Sequence, residues 1–124
     1  MSRHDPVVTL KHMRDAAQTA LSMARGRTRD DLDSDPVLEP ALQYQMIRVG
    51  SGASHLPREV MERSPRTPWD RIAGMTERFV TNYDTVTADD VWEATTQDIP
   101  DLLEALKRLI AEIEAERETR SATV

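Results

Sequence analysis

Arg78, Asn82 and Tyr83 are the residues of this 124-residue chain whose types and spacing best suit chemistry. Arg78 lies about one helical turn before the other two, so a guanidinium, a carboxamide and a phenol share one helix end. A fixed cation among donors can stabilise developing negative charge. The histidines, best suited to moving protons near neutral pH, fall elsewhere. His4 and His12 have no carboxylates at metal-ligand spacing and read as surface or flanking residues. His55 stands near the end of a predicted helix, where an imidazole suits the C-terminal dipole. There is no cysteine, hence no disulfide or thiolate metal site. Glycine-rich phosphate loops, paired carboxylates and a Ser-His-Asp set are also missing, so neither a cofactor nor a metal is expected.

The element that must position the three is a helix over 67–83. Thr67 suits an N-cap, Pro68 the first turn and Asp70 the third position, where a carboxylate reaches back. Trp69, Ile72, Met75 or Thr76, Phe79 and Tyr83 recur at spacings of three and four. That stripe predicts a last turn, with Arg78, Asn82 and Tyr83, beside a packed face.

The same stretch resembles the signature region of the HepT-like family, small helical toxins of the HEPN superfamily encoded beside a minimal nucleotidyltransferase. There a Pro-Trp pair opens a helix running into Gly-Met-Arg-Asn, an apolar pair and His-X-Tyr. Pro68-Trp69, Gly74-Met75, Phe79-Val80 and Tyr83 match. Leu10-Lys-His-Met13 with Ala24-Arg-Gly-Arg27 is similar to the family's first helix and its exit. Val91-Trp92-Glu93 followed by Asp98-Ile-Pro100 is similar to its last, so the likeness runs from about residue 8 to residue 113.

The resemblance implies an endoribonuclease toxin that cuts RNA, tRNA foremost, without a metal ion. It also implies a homodimer and a nucleotidyltransferase antitoxin that silences the toxin by adding AMP to the motif tyrosine, here Tyr83. The family's catalytic arginine and histidine, however, are Thr76 and Thr81. Attack by a 2′-hydroxyl needs a proton carrier and a cation for the phosphorane oxygens, and threonine supplies neither. Arg78, with Asn82 and Tyr83, is the available substitute. The family's Arg-Asn-Leu-Glu-Ile-Ile-Gly-Glu-Ala-like stretch has drifted as well, to Tyr44-Gln-Met-Ile-Arg-Val-Gly-Ser-Gly52. The alternative reading is therefore a catalytically inactive HEPN-like binding module for a protein partner or RNA.

The rest of the chain is helical throughout. Asp5-Pro6 caps a first helix with Val7, Leu10, Met13 and Ala17 on one face, ended by Gly26. Thr28 to Asp31 form a short capped turn, and Asp33-Ser-Asp-Pro36 starts a second helix. Gly50 and Gly52 interrupt that helix, each at about 1 kcal/mol, which predicts the close approach of another helix or a kink. In the HepT-like family the second helix contributes to the dimer. Tyr44 and Arg48 share a face, where packing, stacking or an interface contact would suit them. Pro57 to Arg63 is a short helix, Thr87-Ala-Asp-Asp90 a capping box, and Asp98 with Pro100 a restart or kink in the last helix.

We expect an all-α up-and-down bundle of four main helices plus short ones, HEPN-like by resemblance, as one domain over 1–118 with a frayed tail over 119–124. No signal peptide or membrane span is evident, so a cytoplasmic protein with no membrane partner is expected. The net charge of −6 argues against general phosphate neutralisation. Six arginines lie between Arg48 and Arg78, and seven acids with no base between Asp84 and Glu104.

Overall fold

The computed structural model describes residues 5–123. The Asp5 carboxylate accepts the Val7 amide at 2.9 Å, and Pro6 occupies the first turn, so helix α1 spans Pro6–Ala24. Leu10, Met13, Ala17 and Ala20 are buried on its inner face, and Gly26 ends it with φ 74, a conformation that costs glycine little. His4 lies outside the described residues.

Thr28 closes the expected turn through its amide and Asp31, and leads into the short α2, Asp31–Ser34. Helix α3, Leu38–Ser54, begins later than Asp33-Ser-Asp-Pro36 suggested. The side chain that satisfies its first amides is Asp35, which accepts from Val37 and Leu38. After α4, Arg58–Met61, comes α5, Trp69–Ala73. Its start corrects the expected cap. The Thr67 hydroxyl bonds to Ser64 at 2.6 Å instead of capping the helix, and Pro68 takes the cap position.

The motif helix does not continue as regular α-helix. A π-helical turn occupies Glu77–Thr81, closed by the Asn82 amide on the Glu77 carbonyl at 3.1 Å, and a 3₁₀ turn comes next over Tyr83–Thr85. Helix α6, Ala88–Glu93, opens on the predicted Thr87 and Asp90 capping box. A second π turn, Ala94–Asp98, joins it to α7, Ile99–Thr123. Proline explains that turn. Pro100 has no N–H for the carbonyl four residues back, so the helix widens before it. The Thr95 and Thr96 hydroxyls bond the carbonyls of Val91 and Trp92 within this stretch. Helix α7 is drawn out to Thr123.

Among the described residues there is no strand, so the all-α bundle expected from the sequence is what is found. Helix α1 packs on both α3 and α7 around Leu10, Met13, Leu42, Met46, Leu106 and Leu109, and α5 lies on α3 with Ile72 and, just beyond it, Met75 in the same core. Arg117 on α7 grips the α1 cap with a two-pronged bond to Asp5, at 2.8 and 3.1 Å. Among the described residues no helix is long and apolar enough to cross a membrane.

Candidate functional site

Met75 is fully buried, which puts the next residue, Thr76, at the seam with α3. The Thr76 hydroxyl points to the Ile47 carbonyl at a long 3.5 Å. A Cβ on Gly50 would stand 2.7 Å from Thr76 Oγ1, 2.8 Å from its backbone nitrogen and 3.1 Å from the Ile72 carbonyl oxygen. Gly50 is therefore the point of close approach, and the approaching helix belongs to the same chain. Gly52 likewise faces Met13 of α1. These glycines are used inside the fold and give no argument for a second copy. Gly50→Ala forces backbone to move and should lower stability by about 1–3 kcal/mol, read as a lower urea midpoint at unchanged slope.

Beyond Thr76 the π turn decides the outcome. It adds a residue to the turn and rotates the residues after it away from the buried stripe. Phe79 stays in the core at 2% exposure, but Thr81 and Asn82 are exposed and Tyr83 is 71% exposed. The expectation that the last turn lies beside a packed face is thus corrected for Asn82 and Tyr83. Arg78 is half-buried, with its guanidinium carbon 5.2 Å from the centroid of the Phe79 ring.

Arg78 also belongs to a charge cluster that the sequence did not suggest. Arg71 Nε lies 3.3 Å from Asp98 Oδ2, and Arg71 Nη2 lies 3.4 Å from Glu93. The Asp98 side chain is 10% exposed, and its Oδ2 has an ion-pair distance to Arg71 without hydrogen-bond alignment. Burial raises the Asp98 pKa above the usual carboxylate value; Arg71 and Arg78 oppose that rise, and Glu93 adds to it. A carboxyl whose pKa is higher folded than unfolded holds its proton more tightly in the native state. Native stability therefore falls as pH rises through the ordinary carboxylate pKa toward the raised one. Asp98→Asn should gain on the wild type between pH 4 and pH 7, measured by urea unfolding at both values.

His55 was expected at a helix end, and it is found there. It lies at the end of α3, facing a cavity of about 420 Å³ lined by Thr9, His12, Ile47, Arg48, Ser51, Gly52 and His55, with no motif residue among them. His55 Nδ1 lies 2.7 Å from the Ser51 carbonyl, so the ring anchors the last turn of α3. Tyr44 is 59% exposed, and the Arg48 guanidinium carbon stands 6.0 Å from its ring centroid, a loose stacked pair. No group of three or more histidine or acidic side chains among the described residues could hold a metal ion.

The motif region thus offers an accessible phenol, an exposed carboxamide and a half-buried guanidinium. It lacks a proton carrier where Thr76 and Thr81 stand. The sequence profile of a family described as ribonuclease HepT-like matches residues 13–109. "Putative RNase TTE0752" of Caldanaerobacter subterraneus subsp. tengcongensis is 28% identical over 101 residues, 82% of this chain and 90% of that protein. "Gamma-glutamylcyclotransferase and putative RNase MJ0434" of Methanocaldococcus jannaschii is 24% identical over 118 residues, 95% of this chain but 53% of that protein. "Probable ribonuclease HepT" of Thermococcus cleftensis is 24% identical over 102 residues, 79% of this chain and 92% of that protein. No solved structure matches.

Proposed function

The chain belongs to the ribonuclease HepT-like family, and from that premise we propose that it is the toxin-derived half of a toxin–antitoxin pair whose own cleavage motif is disabled. The observation that carries this reading is Thr76. Its hydroxyl and backbone are committed to the seam with Gly50 and Ile47, and Thr81 is an exposed hydroxyl, so two positions that would act on a phosphodiester hold no cation and no base. Arg78 does not replace the pair, because it is stacked on Phe79 and drawn toward Asp98. The protein then works as a binding module that recognises RNA of the tRNA class without cutting it.

The proposed protein partner is a nucleotidyltransferase acting on Tyr83, whose exposed ring makes the phenol reachable by a second enzyme. A homodimer in the cytoplasm completes the proposal; Val37 and Val80, 70% and 48% exposed, are apolar side chains available to it.

The test is incubation of the full chain with total tRNA beside its Arg78→Ala and Tyr83→Phe variants. No cleavage is expected from any of the three. Cleavage that vanishes in Arg78→Ala would show that replaced groups carry the reaction and would overturn the disabled site. A parallel incubation with a nucleotidyltransferase and ATP should raise the intact mass by one AMP in the wild type and leave Tyr83→Phe unchanged.

A further inference from the structure

The cavity between α1 and α3 stands out by its charge. In a chain with net charge −6, none of its lining residues is acidic, while Arg48, His12 and His55 supply one permanent cation and two imidazoles. Thr9 and Ser51 add hydroxyls, and Ile47 is the one aliphatic side chain. Its volume, about 420 Å³, lies within the range of small-ligand sites.

Arg48 and His55 are also held in place. Arg48 donates through Nη1 to Gln45 Oε1 at 2.9 Å, and Gln45 is 9% exposed, so a nearly buried amide orients the guanidinium. Arg29, Arg63, Arg71 and Arg117 are each engaged with carboxylates, whereas Arg48 has no carboxylate partner among the described residues. A carbonyl oxygen only accepts, so His55 Nδ1 must be the donor to Ser51. That bond fixes the ring and puts the basic lone pair of the neutral form on Nε2. One turn before Arg48 on the same helix, Tyr44 offers an exposed ring of the kind on which nucleobases stack.

We propose that this cavity is a binding site for a nucleotide phosphate, with Arg48, His12 and His55 around the phosphoryl oxygens and Tyr44 beside the base. An arginine fork matches phosphate oxygens in charge and geometry, the His55 Nε2 donates to them once it carries a proton shared with or taken from the phosphate, and the Tyr44 ring one turn along α3 selects a nucleotide over a bare anion. The phosphate belongs either to the backbone of single-stranded RNA or to a mononucleotide. The RNA source rests on the function proposed above.

Two ligands separate these sources, a short single-stranded oligoribonucleotide and adenosine 5′-monophosphate. Each is titrated into the full chain while the ring C–H signals of His12 and His55 are followed by NMR. Both histidines should shift with at least one ligand. Arg48→Ala should weaken that binding by about tenfold or more, while Arg58→Ala, an exposed arginine of α4 with the same charge loss, should not. Arg48→Lys, which keeps the charge and the fold but loses the fork, should fall between them. Binding of the oligoribonucleotide that Arg48→Ala leaves intact would overturn the cavity as the site while the RNA-binding reading stands. A response to the mononucleotide with none to the oligoribonucleotide would uphold the cavity and remove the RNA-binding reading. If neither ligand moves either histidine at millimolar concentration, the proposed site is wrong.

Discussion

The double variant Thr76→Arg, Thr81→His cleaves tRNA at least about 100-fold faster than the wild type. A positioned proton carrier is worth about 10²–10⁴ in rate, and a charge-stabilising donor aimed at the transition state about 10²–10³. The two act on one transition state, so their effects do not multiply and either alone recovers little. Neither position is fully buried. Thr81 is exposed and accepts an imidazole without repacking. Thr76 is half-buried at the seam, but an arginine can lay its stem along the apolar surface of α3 and carry the guanidinium to water. The measurement is the initial rate on end-labelled tRNA, with circular dichroism to establish that the variant is folded. A folded double variant with no gain would place the lost activity elsewhere, first in the drifted stretch from Tyr44 to Gly52.

Trp69→Ala costs about 3–5 kcal/mol, a large part of the stability that a small domain has. The ring is 9% exposed, and its indole N–H donates to two carbonyls, Met61 and Ser64, each at 3.1 Å. Those carbonyls belong to the end of α4 and the loop after it, so one side chain ties the segment before the motif helix to that helix's first residue. Ser64 is itself 3% exposed and receives Arg108 Nη2 from α7 at 2.9 Å. Removal of the tryptophan opens a cavity and leaves this junction without its centre. Trp69→Phe separates the two contributions, because it keeps most of the ring and loses only the hydrogen bonds, at about 1–3 kcal/mol. Urea unfolding of the three proteins should rank them wild type, Phe, Ala. Equal losses for Phe and Ala would assign the whole effect to the indole hydrogen bonds.

Caps and buried stripes were legible in the sequence because they depend on neighbours a few residues away. Asp5-Pro6, the Thr87 and Asp90 box and the buried run through Leu102, Leu106 and Leu109 all stand where their spacing put them. Features that depend on distant segments were not legible. Thr67 has the right type for a cap, but the Ser64 hydroxyl takes its side chain. The glycines of α3 announced a close approach without naming Thr76 or Met13 as the neighbours. Asp98 read as a mark of a kink, and only folding sets it among Arg71, Arg78 and Glu93. In the candidate site, the exposure of Tyr83 was missed because stripe counting assumes about 3.6 residues per turn, and nothing local in Glu77 to Thr81 says otherwise.

The π turn over Glu77–Thr81 has a consequence for comparing sequences. A π turn is how a helix absorbs a one-residue insertion without unwinding; in a regular helix the same extra residue would turn everything beyond it by about 100° around the axis. A relative with one residue fewer between its Gly-Met pair and its tyrosine, and no π turn, would present that tyrosine on the same side of the helix, whereas one of equal length without the turn would present it on a different side. Alignment gaps inside this segment therefore carry structural meaning. A gap-free match across it equates letters, whereas a match that places the gap within the turn equates positions in space.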